Sequence, residues 1–184
     1  MKNYAFTDTS ALRQFLLGQG IPVWNYGVGE AKTLDQLLTE IKHKKCQLSI
    51  ERDRVVRSVK VVSLNVYQGE KILVEDRQIF VDGRVHRRAT RFSLAEKVKY
   101  CVETFSEALD RLMWEEMLRL VFCEHVTGSA LAPQFEWGES HSYPGIFTHY
   151  EFYQNEVFLP EKFILPLVVH ESDGKVAHYR WDDR

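Results

Sequence analysis

One stretch of the sequence combines carboxylates and an arginine at a spacing that suits metal chemistry. Glu103 is followed by Arg111 eight positions later, and then by the adjacent pair Glu115 and Glu116. On a helix, Arg111, Glu115 and Glu116 share one face. Adjacent carboxylates beside an arginine suit a hard cation such as Mg²⁺, which the arginine would help to orient or neutralise. The same spacing is typical of charged partners on a solvated helix face, so the residue types alone leave both interpretations open.

A basic run lies immediately upstream of these carboxylates. Its members are Arg84, Arg87, Arg88, Arg91, Lys97 and Lys99. Arginines bind phosphate through forked contacts, which makes the run a candidate substrate-binding surface. A surface for a polyanionic partner is an alternative, as is an exposed edge strand that its charge keeps soluble.

Aromatic residues occur further along the chain, where they could stack on a nucleobase or pack in a core. They are Trp137, Tyr143, Phe147 and Tyr150.

The elements that must position these residues follow from hydrophobic spacing. A short helix is predicted over 8–18. Thr33 and Gln36 form a capping box that leads into an amphipathic helix over 34–43. Helical spacing returns over 103–121, which carries the carboxylates.

Between and after the helices, the spacing changes to that of strands. A central strand with two apolar faces is predicted over 55–67, whereas 126–145 reads as a loop rich in glycine and proline. Further strands and hairpin arms are predicted over 71–76, 78–81, 84–88, 148–158, 163–169 and 176–181. The pattern predicts an α+β fold with mostly antiparallel pairing.

Composition narrows the class of protein. The chain has 184 residues and a net charge of -2, which fits a globular protein and argues against nucleic-acid binding through bulk positive charge. No apolar run approaches the roughly 20 residues of a membrane helix, so we expect no membrane insertion. The three cysteines form no CxxC motif, and no leader peptide is visible. We therefore expect an intracellular protein, in the cytoplasm or an organelle interior.

The spacing of the charged helix resembles the Nudix box, G-x5-E-x7-R-E-U-x-E-E-x-G-U, in which U is a bulky aliphatic residue. In this register Glu103 matches the first glutamate, Arg111 the arginine, Met113 the first U, and Glu115 and Glu116 the paired glutamates. Flanking segments resemble a Nudix-like group of cyanobacteria and plastids. They are Gly29–Thr33, Val81–Arg84 with Arg87 and Arg88, Ser93–Lys97 and Ser142–Gly145.

The resemblance implies a Nudix-type α/β/α sandwich with a mixed sheet. It implies a helical N-terminal extension over residues 1–48 and a Nudix-like domain over residues 49–184.

Four positions depart from the Nudix pattern. Lys97 replaces the opening glycine, and Leu118 and Arg119 replace the closing glycine and the aliphatic residue after it. Leu112 replaces the glutamate that orients or deprotonates the attacking water in Nudix hydrolases. Leucine can neither accept a proton nor bind Mg²⁺.

Two functions follow from the resemblance. The departures favour a Nudix-fold protein with a degraded box, which acts as a binding or assembly module with weak or no hydrolysis. Its partner would be a nucleotide, a phosphate ligand or another protein. The alternative is a pyrophosphohydrolase of a nucleoside diphosphate linked to another moiety, dependent on Mg²⁺ or Mn²⁺.

In the hydrolase alternative, the resemblance assigns roles to particular residues. Glu103, Glu115 and Glu116 would hold the metal, and Arg111 would orient the carboxylates beside it. Arg111, Glu115 and Glu116 would form the catalytic set, and the base would come from outside the box, from Glu136 or Glu139. Arg84, Arg87 and Arg88 would bind the substrate.

Overall fold

The computed structural model describes residues 3–87, 93–116, 127–161, 164, 167–170 and 174–184. The helices are α1 (Thr9–Gly18), α2 (Leu34–Lys42) and α3 (Phe105–Glu116), with a short 3-10 helix at Val23–Asn25. The strands are β1 (Gln47–Glu51), β2 (Arg54–Gln68), β3 (Lys71–Ile79), β4 (Val85–His86), β5 (Leu94–Lys97), β6 (Thr127–Ala130), β7 (Gln134–Glu139), β8 (Phe147–Leu159), β9 (Val168–His170) and β10 (Val176–Asp183). This combination confirms the predicted α+β class.

The chain divides into two compact units. Unit 1 consists of Met1–Val61, Lys97–Thr104 and Gln134–Phe152. Unit 2 consists of Val62–Glu96, Phe105–Pro133 and Tyr153–Arg184. The domain boundary at residue 48 stays a prediction.

Local capping fixes the two helices of unit 1 where the sequence predicts them. The Asp8 carboxylate accepts the Ala11 N–H at 2.9 Å and begins α1. The capping box of α2 is confirmed, because the Gln36 N–H donates to the Thr33 hydroxyl while the Thr33 N–H donates to the Gln36 side chain. The core of this unit is apolar and includes Leu12, Leu16, Leu34, Leu37, Leu38, Leu48, Val59 and Ile146.

Two antiparallel hairpins complete unit 1. β1 pairs with the start of β2, with Gln47 opposite Ser58 and Glu51 opposite Arg54. β7 pairs with the first half of β8, with Trp137 opposite His149. The prediction of a loop over 126–145 was wrong for β6 and β7. Glycine and proline mark turns, but Phe135 and Trp137 alternate with polar residues as a strand requires.

Unit 2 is built on a mixed sheet with the strand order β6-β8-β2-β3-β10-β9. β10 runs antiparallel to both β3 and β9, and β6 runs antiparallel to β8. β8 runs parallel to β2, because Asn155 donates to the Ser63 carbonyl while the Phe158 ring stacks on Tyr67 further along both strands. β2 is the predicted central strand, and its residues Val62, Leu64 and Val66 are buried.

Helix α3 belongs to unit 2 and begins at Phe105. It is described as far as Glu116, and the rest of the helix predicted over 103–121 lies outside the described residues. In the described part of the chain, no helix is both long enough and apolar enough to cross a membrane.

The backbone at Gly145 lies close to the Pro22 ring in unit 1. Its φ is +85°, and a Cβ there would lie 2.8 Å from Pro22 Cδ. We expect Gly145→Ala to lower the free energy of unfolding by about 1–3 kcal/mol, measured by urea denaturation, because it adds a backbone penalty and a clash. Gly20→Ala is the matched control, since Gly20 also has a positive φ but faces open space. Equal losses in the two variants would show that the approach to Pro22 contributes nothing.

Candidate functional site

Helix α3 carries the residues that the sequence predicts to be catalytic. Arg111 and Glu115 lie one helical turn apart, and Glu116 is the last residue described in the helix. The Arg111 Nη1 lies 3.8 Å from the Glu96 Oε1, a carboxylate that the sequence analysis did not single out. Leu112 is only 1% exposed. The side chains of Glu115 and Glu116 lie outside the described part of the structure, so the catalytic role of this set stays a prediction.

Glu103, the first predicted metal ligand, closes a local turn. Its carboxylate accepts the Lys99 N–H at 2.7 Å, and its own N–H donates back to the Lys99 carbonyl. Among the side chains that the structure describes, no three or more His, Cys, Asp or Glu residues form a group able to hold a metal. Carboxylate oxygens suit Mg²⁺, and the predicted set with Glu115 and Glu116 stays a prediction.

The predicted substrate-binding arginines lie in and after the β3–β4 hairpin. The Arg84 Nε donates to the Asp82 carboxylate at 2.7 Å, and the same carboxylate accepts the Arg84 N–H, which fixes the turn. Arg84 is thus held by a neighbour in an exposed hairpin, and Arg87 is also exposed. Arg88 lies outside the described residues, and the substrate-binding role of all three stays a prediction.

A partly buried ionic cluster that the sequence does not predict lies within unit 1. The Glu40 carboxylate accepts from the Arg57 Nη2 at 2.6 Å, the Lys32 Nζ at 2.8 Å and the Lys97 Nζ at 2.9 Å. Arg57 is only 2% exposed, and its guanidinium lies 5.1 Å from the centre of the Tyr143 ring. These four charged residues are called the Glu40 cluster below.

Regular elements position the members of this cluster. Glu40 follows Leu37 by three residues and therefore lies on the apolar side of α2. Arg57 interrupts the valines of β2, and Lys97 ends β5. The sequence signal for this cluster is a charged residue within an apolar stripe, as at Glu40 and Arg57. The neighbouring residues in the sequence do not show that these two side chains form a pair.

The electrostatics of the cluster exclude Glu40 as a general base. Burial alone would raise the pKa of Glu40, but the charges of Arg57, Lys97 and Lys32 together hold that pKa well below its usual range. Glu40 therefore stays ionised near neutral pH and is too weak a base to take a proton from water. Burial also raises the pKa of the neighbouring Cys46 thiol, which keeps it in the unreactive protonated form.

The pKa of Lys97 is also lowered, in this case chiefly by burial. Burial lowers its pKa to about 8, an effect that Glu40 opposes and that Arg57 and Lys32 reinforce. Three cations share one carboxylate, so the cluster carries more positive charge than Glu40 can balance.

Lys97 should contribute a component of stability that rises with pH on the alkaline side. Its pKa in the folded chain is about 8, against an ordinary value of 10.5, so the unfolded chain binds more protons between those pH values. The free energy of unfolding of the wild type minus that of Lys97→Met should therefore increase across this window in urea denaturation. The raised pKa values of Cys46, Tyr26 and Tyr143 act in the opposite direction in both proteins. Lys97→Met should remove that component, and an identical slope in the variant would contradict it.

Stability should also fall in acid because of Glu40. Its pKa lies below the ordinary 4.5, so its contribution is complete above that pH and is lost as the pH falls through the folded-state pKa. Glu40→Gln should flatten this acid loss, whereas an unchanged acid slope would rule out Glu40 as its source.

Comparisons with known proteins give a limited likeness. No protein-family model and no curated protein sequence matches the chain. The structure is similar to the mutator MutT protein of Bacillus halodurans, at 12% identity and a TM-score of 0.35, covering 68% of each chain. It is also similar to a MutT structure from work on Aliivibrio salmonicida and Vibrio cholerae, at 12% identity and a TM-score of 0.30, covering 68% of this chain and 80% of the other. Both TM-scores are low, and neither likeness establishes a family.

Proposed function

We propose that this chain is a Nudix-like binding or assembly module in which hydrolysis is weak or lost. The observation that carries the proposal is Leu112, which occupies the position of the general-base glutamate and is 1% exposed. Loss of a general base typically costs about 10²–10⁴ in rate. The burial of Leu112 and of the nearby Ala108 supports a packing role rather than water activation at this position of α3.

Two further contacts support the same proposal. Lys97, at the position of the box's opening glycine, ends a strand and is bound by Glu40 at 2.9 Å. Arg111, at the position of the box arginine, has the carboxylate of Glu96 as a neighbour. Both side chains thus have structural partners, and neither contact requires a metal.

The ligand and setting of the module are also proposals. A nucleotide or phosphate ligand fits the basic residues Arg84 and Arg87, and a protein partner fits an assembly role. Mg²⁺ or Mn²⁺ would be needed only if hydrolysis survives. We place the protein inside the cell, in the cytoplasm or an organelle.

A hydrolysis panel tests the proposal. Purified protein is incubated with Mg²⁺ or Mn²⁺ and with ADP-ribose, NADH, diadenosine polyphosphates or nucleoside triphosphates, and the products are separated by chromatography. We expect the turnover of the wild-type chain to be absent or below ~0.1 s⁻¹. Turnover at ~1 s⁻¹ or faster that disappears in Glu116→Gln would replace this proposal with the pyrophosphohydrolase.

A further inference from the structure

A pocket of about 550 Å³ lies within unit 1, beside the tip of the β1–β2 hairpin. This volume is in the range of small-molecule sites. The lining residues combine aromatic, aliphatic and charged side chains and are Glu51, Arg52, Arg54, Val56, Trp137 and Phe147. None of them lies in the segment 97–119 that resembles the Nudix box.

One lining residue of this pocket, Trp137, belongs to an aromatic stack. The Trp137 ring lies 3.9 Å from the His149 ring, centre to centre, and is within 12° of parallel. Phe135 is stacked against the same histidine at 5.8 Å. Trp137 nevertheless remains 57% exposed, so a large part of the indole is open to a ligand. A tryptophan held flat by one neighbour is a preformed platform for another flat ring.

Two arginines supply positive charge at the same pocket. The Arg54 guanidinium lies over the Phe147 ring, 5.0 Å from its centre, in a cation–π contact. Both Arg52 and Arg54 are exposed. Within the described part of the chain, neither guanidinium is paired with a carboxylate.

The backbone that presents Arg52 is strained. Arg52 and Asp53 form the hairpin tip with φ values of 48° and 60°. Hairpin turns with two positive φ angles usually contain Asn-Gly, because other side chains raise the energy of that conformation. A strained turn that carries a charged residue into a pocket is typical of a functional site.

We propose that this pocket binds a planar aromatic anion, whose ring stacks on Trp137 and whose anionic group pairs with Arg52 and Arg54. A ligand that makes both the ring stacking and the forked arginine contacts must carry a flat ring and an anionic group. A nucleotide has this chemistry, and so does an aromatic carboxylate. The inference does not rest on the proposed function, because binding here requires neither α3 nor a metal.

Binding of small probes to the full chain tests the site. AMP and 2-naphthoate each carry a flat ring and an anionic group, adenosine carries only the ring, and inorganic phosphate carries only the charge. By calorimetry, we expect AMP or 2-naphthoate to bind with a Kd below about 1 mM, with adenosine and phosphate at least ~10-fold weaker. Tighter binding of AMP would identify the ligand as a nucleotide, and tighter binding of 2-naphthoate would identify it as an aromatic carboxylate. Failure of both AMP and 2-naphthoate at concentrations up to ~5 mM would overturn the proposal.

Matched variants distinguish binding in this pocket from nonspecific binding elsewhere on the protein surface. We expect Trp137→Ala to weaken binding about 10-fold or more. Trp24→Ala should leave binding unchanged, because Trp24 is 70% exposed in the 3-10 helix and does not line the pocket. Arg54→Met should weaken binding about 5-fold or more, whereas Arg13→Met on α1 should not. Equal losses in the Trp24 and Trp137 variants would overturn the proposal.

Indole resonances give a second readout that does not depend on a change of stability. The chain has four tryptophans. In ¹⁵N-labelled protein, the indole signal that is missing from Trp137→Phe should be the one that the probe shifts most. A larger shift at another indole would place the probe elsewhere. Neither result depends on hydrolysis, so failure here and failure of the proposed function are distinguishable.

Discussion

Glu40→Ala should lower the free energy of unfolding by about 3–5 kcal/mol, measured by urea denaturation at pH 7. Glu40 is the carboxylate that contacts Arg57, Lys32 and Lys97 in the Glu40 cluster. Removing it leaves the guanidinium of Arg57 buried at 2% exposure without its ion-pair partner. Within the residues that the structure describes, the Arg57 Nε and Nη1 have no hydrogen-bond partner, so this side chain has little means of recovering the loss.

A double-mutant cycle assigns that loss to the ion pair. We expect Arg57→Met alone to be destabilising and Glu40→Ala with Arg57→Met to lose less than the sum of the single losses, because the double variant buries no unpaired guanidinium. Arg180→Ala is the control, since Arg180 is exposed on β10, where it pairs with Asp182 and Asp76, and should have little effect. Additive losses in the cycle would show that Glu40 and Arg57 act independently.

Leu112→Glu should also be strongly destabilising, by about 3 kcal/mol or more in the free energy of unfolding. Leu112 is 1% exposed, so the variant must bury a carboxyl group and give up the packing of the leucine. Urea denaturation measures the loss, and the hydrolysis panel tests whether a glutamate here restores turnover. We expect no gain of turnover.

Leu112→Met is the matched control for this position. It keeps an apolar side chain of similar volume and should cost less than about 1.5 kcal/mol. A Leu112→Glu protein as stable as the Leu112→Met protein would mean that position 112 tolerates a charge. The burial argument for a degraded box would then fail.

The parts of the fold that depend on short-range signals were predictable from the sequence. The capping box at Thr33 and Gln36 lies within four residues, and its helix begins where the box requires. The apolar faces of β2 likewise predicted a central strand without knowledge of its neighbours. In each case, the residues that decide the structure are close together in the chain.

The Glu40 cluster could not be predicted in the same way. Glu40 and Arg57 are 17 residues apart and meet only because α2 and the first half of β2 both belong to unit 1. In the sequence, each is an ordinary charged residue, because a single sequence does not show which positions on an apolar face of a helix or strand are buried. Trp137 is a similar case, because its segment was predicted as a loop and its stacking partner His149 comes from another strand.

The central claim, a Nudix-like module with weak or no hydrolysis, is tested most directly by ³¹P NMR under single-turnover conditions. The wild-type chain is held in excess over ADP-ribose with Mg²⁺, and the spectrum is followed until a slow reaction would be complete. We predict that phosphomonoester signals either do not grow or grow at ~0.1 s⁻¹ or slower, which is ~10²-fold or more below a typical enzyme turnover of ~10 s⁻¹. Phosphomonoester signals that grow at ~1 s⁻¹ or faster with the wild-type protein and are absent with Glu116→Gln would contradict the account.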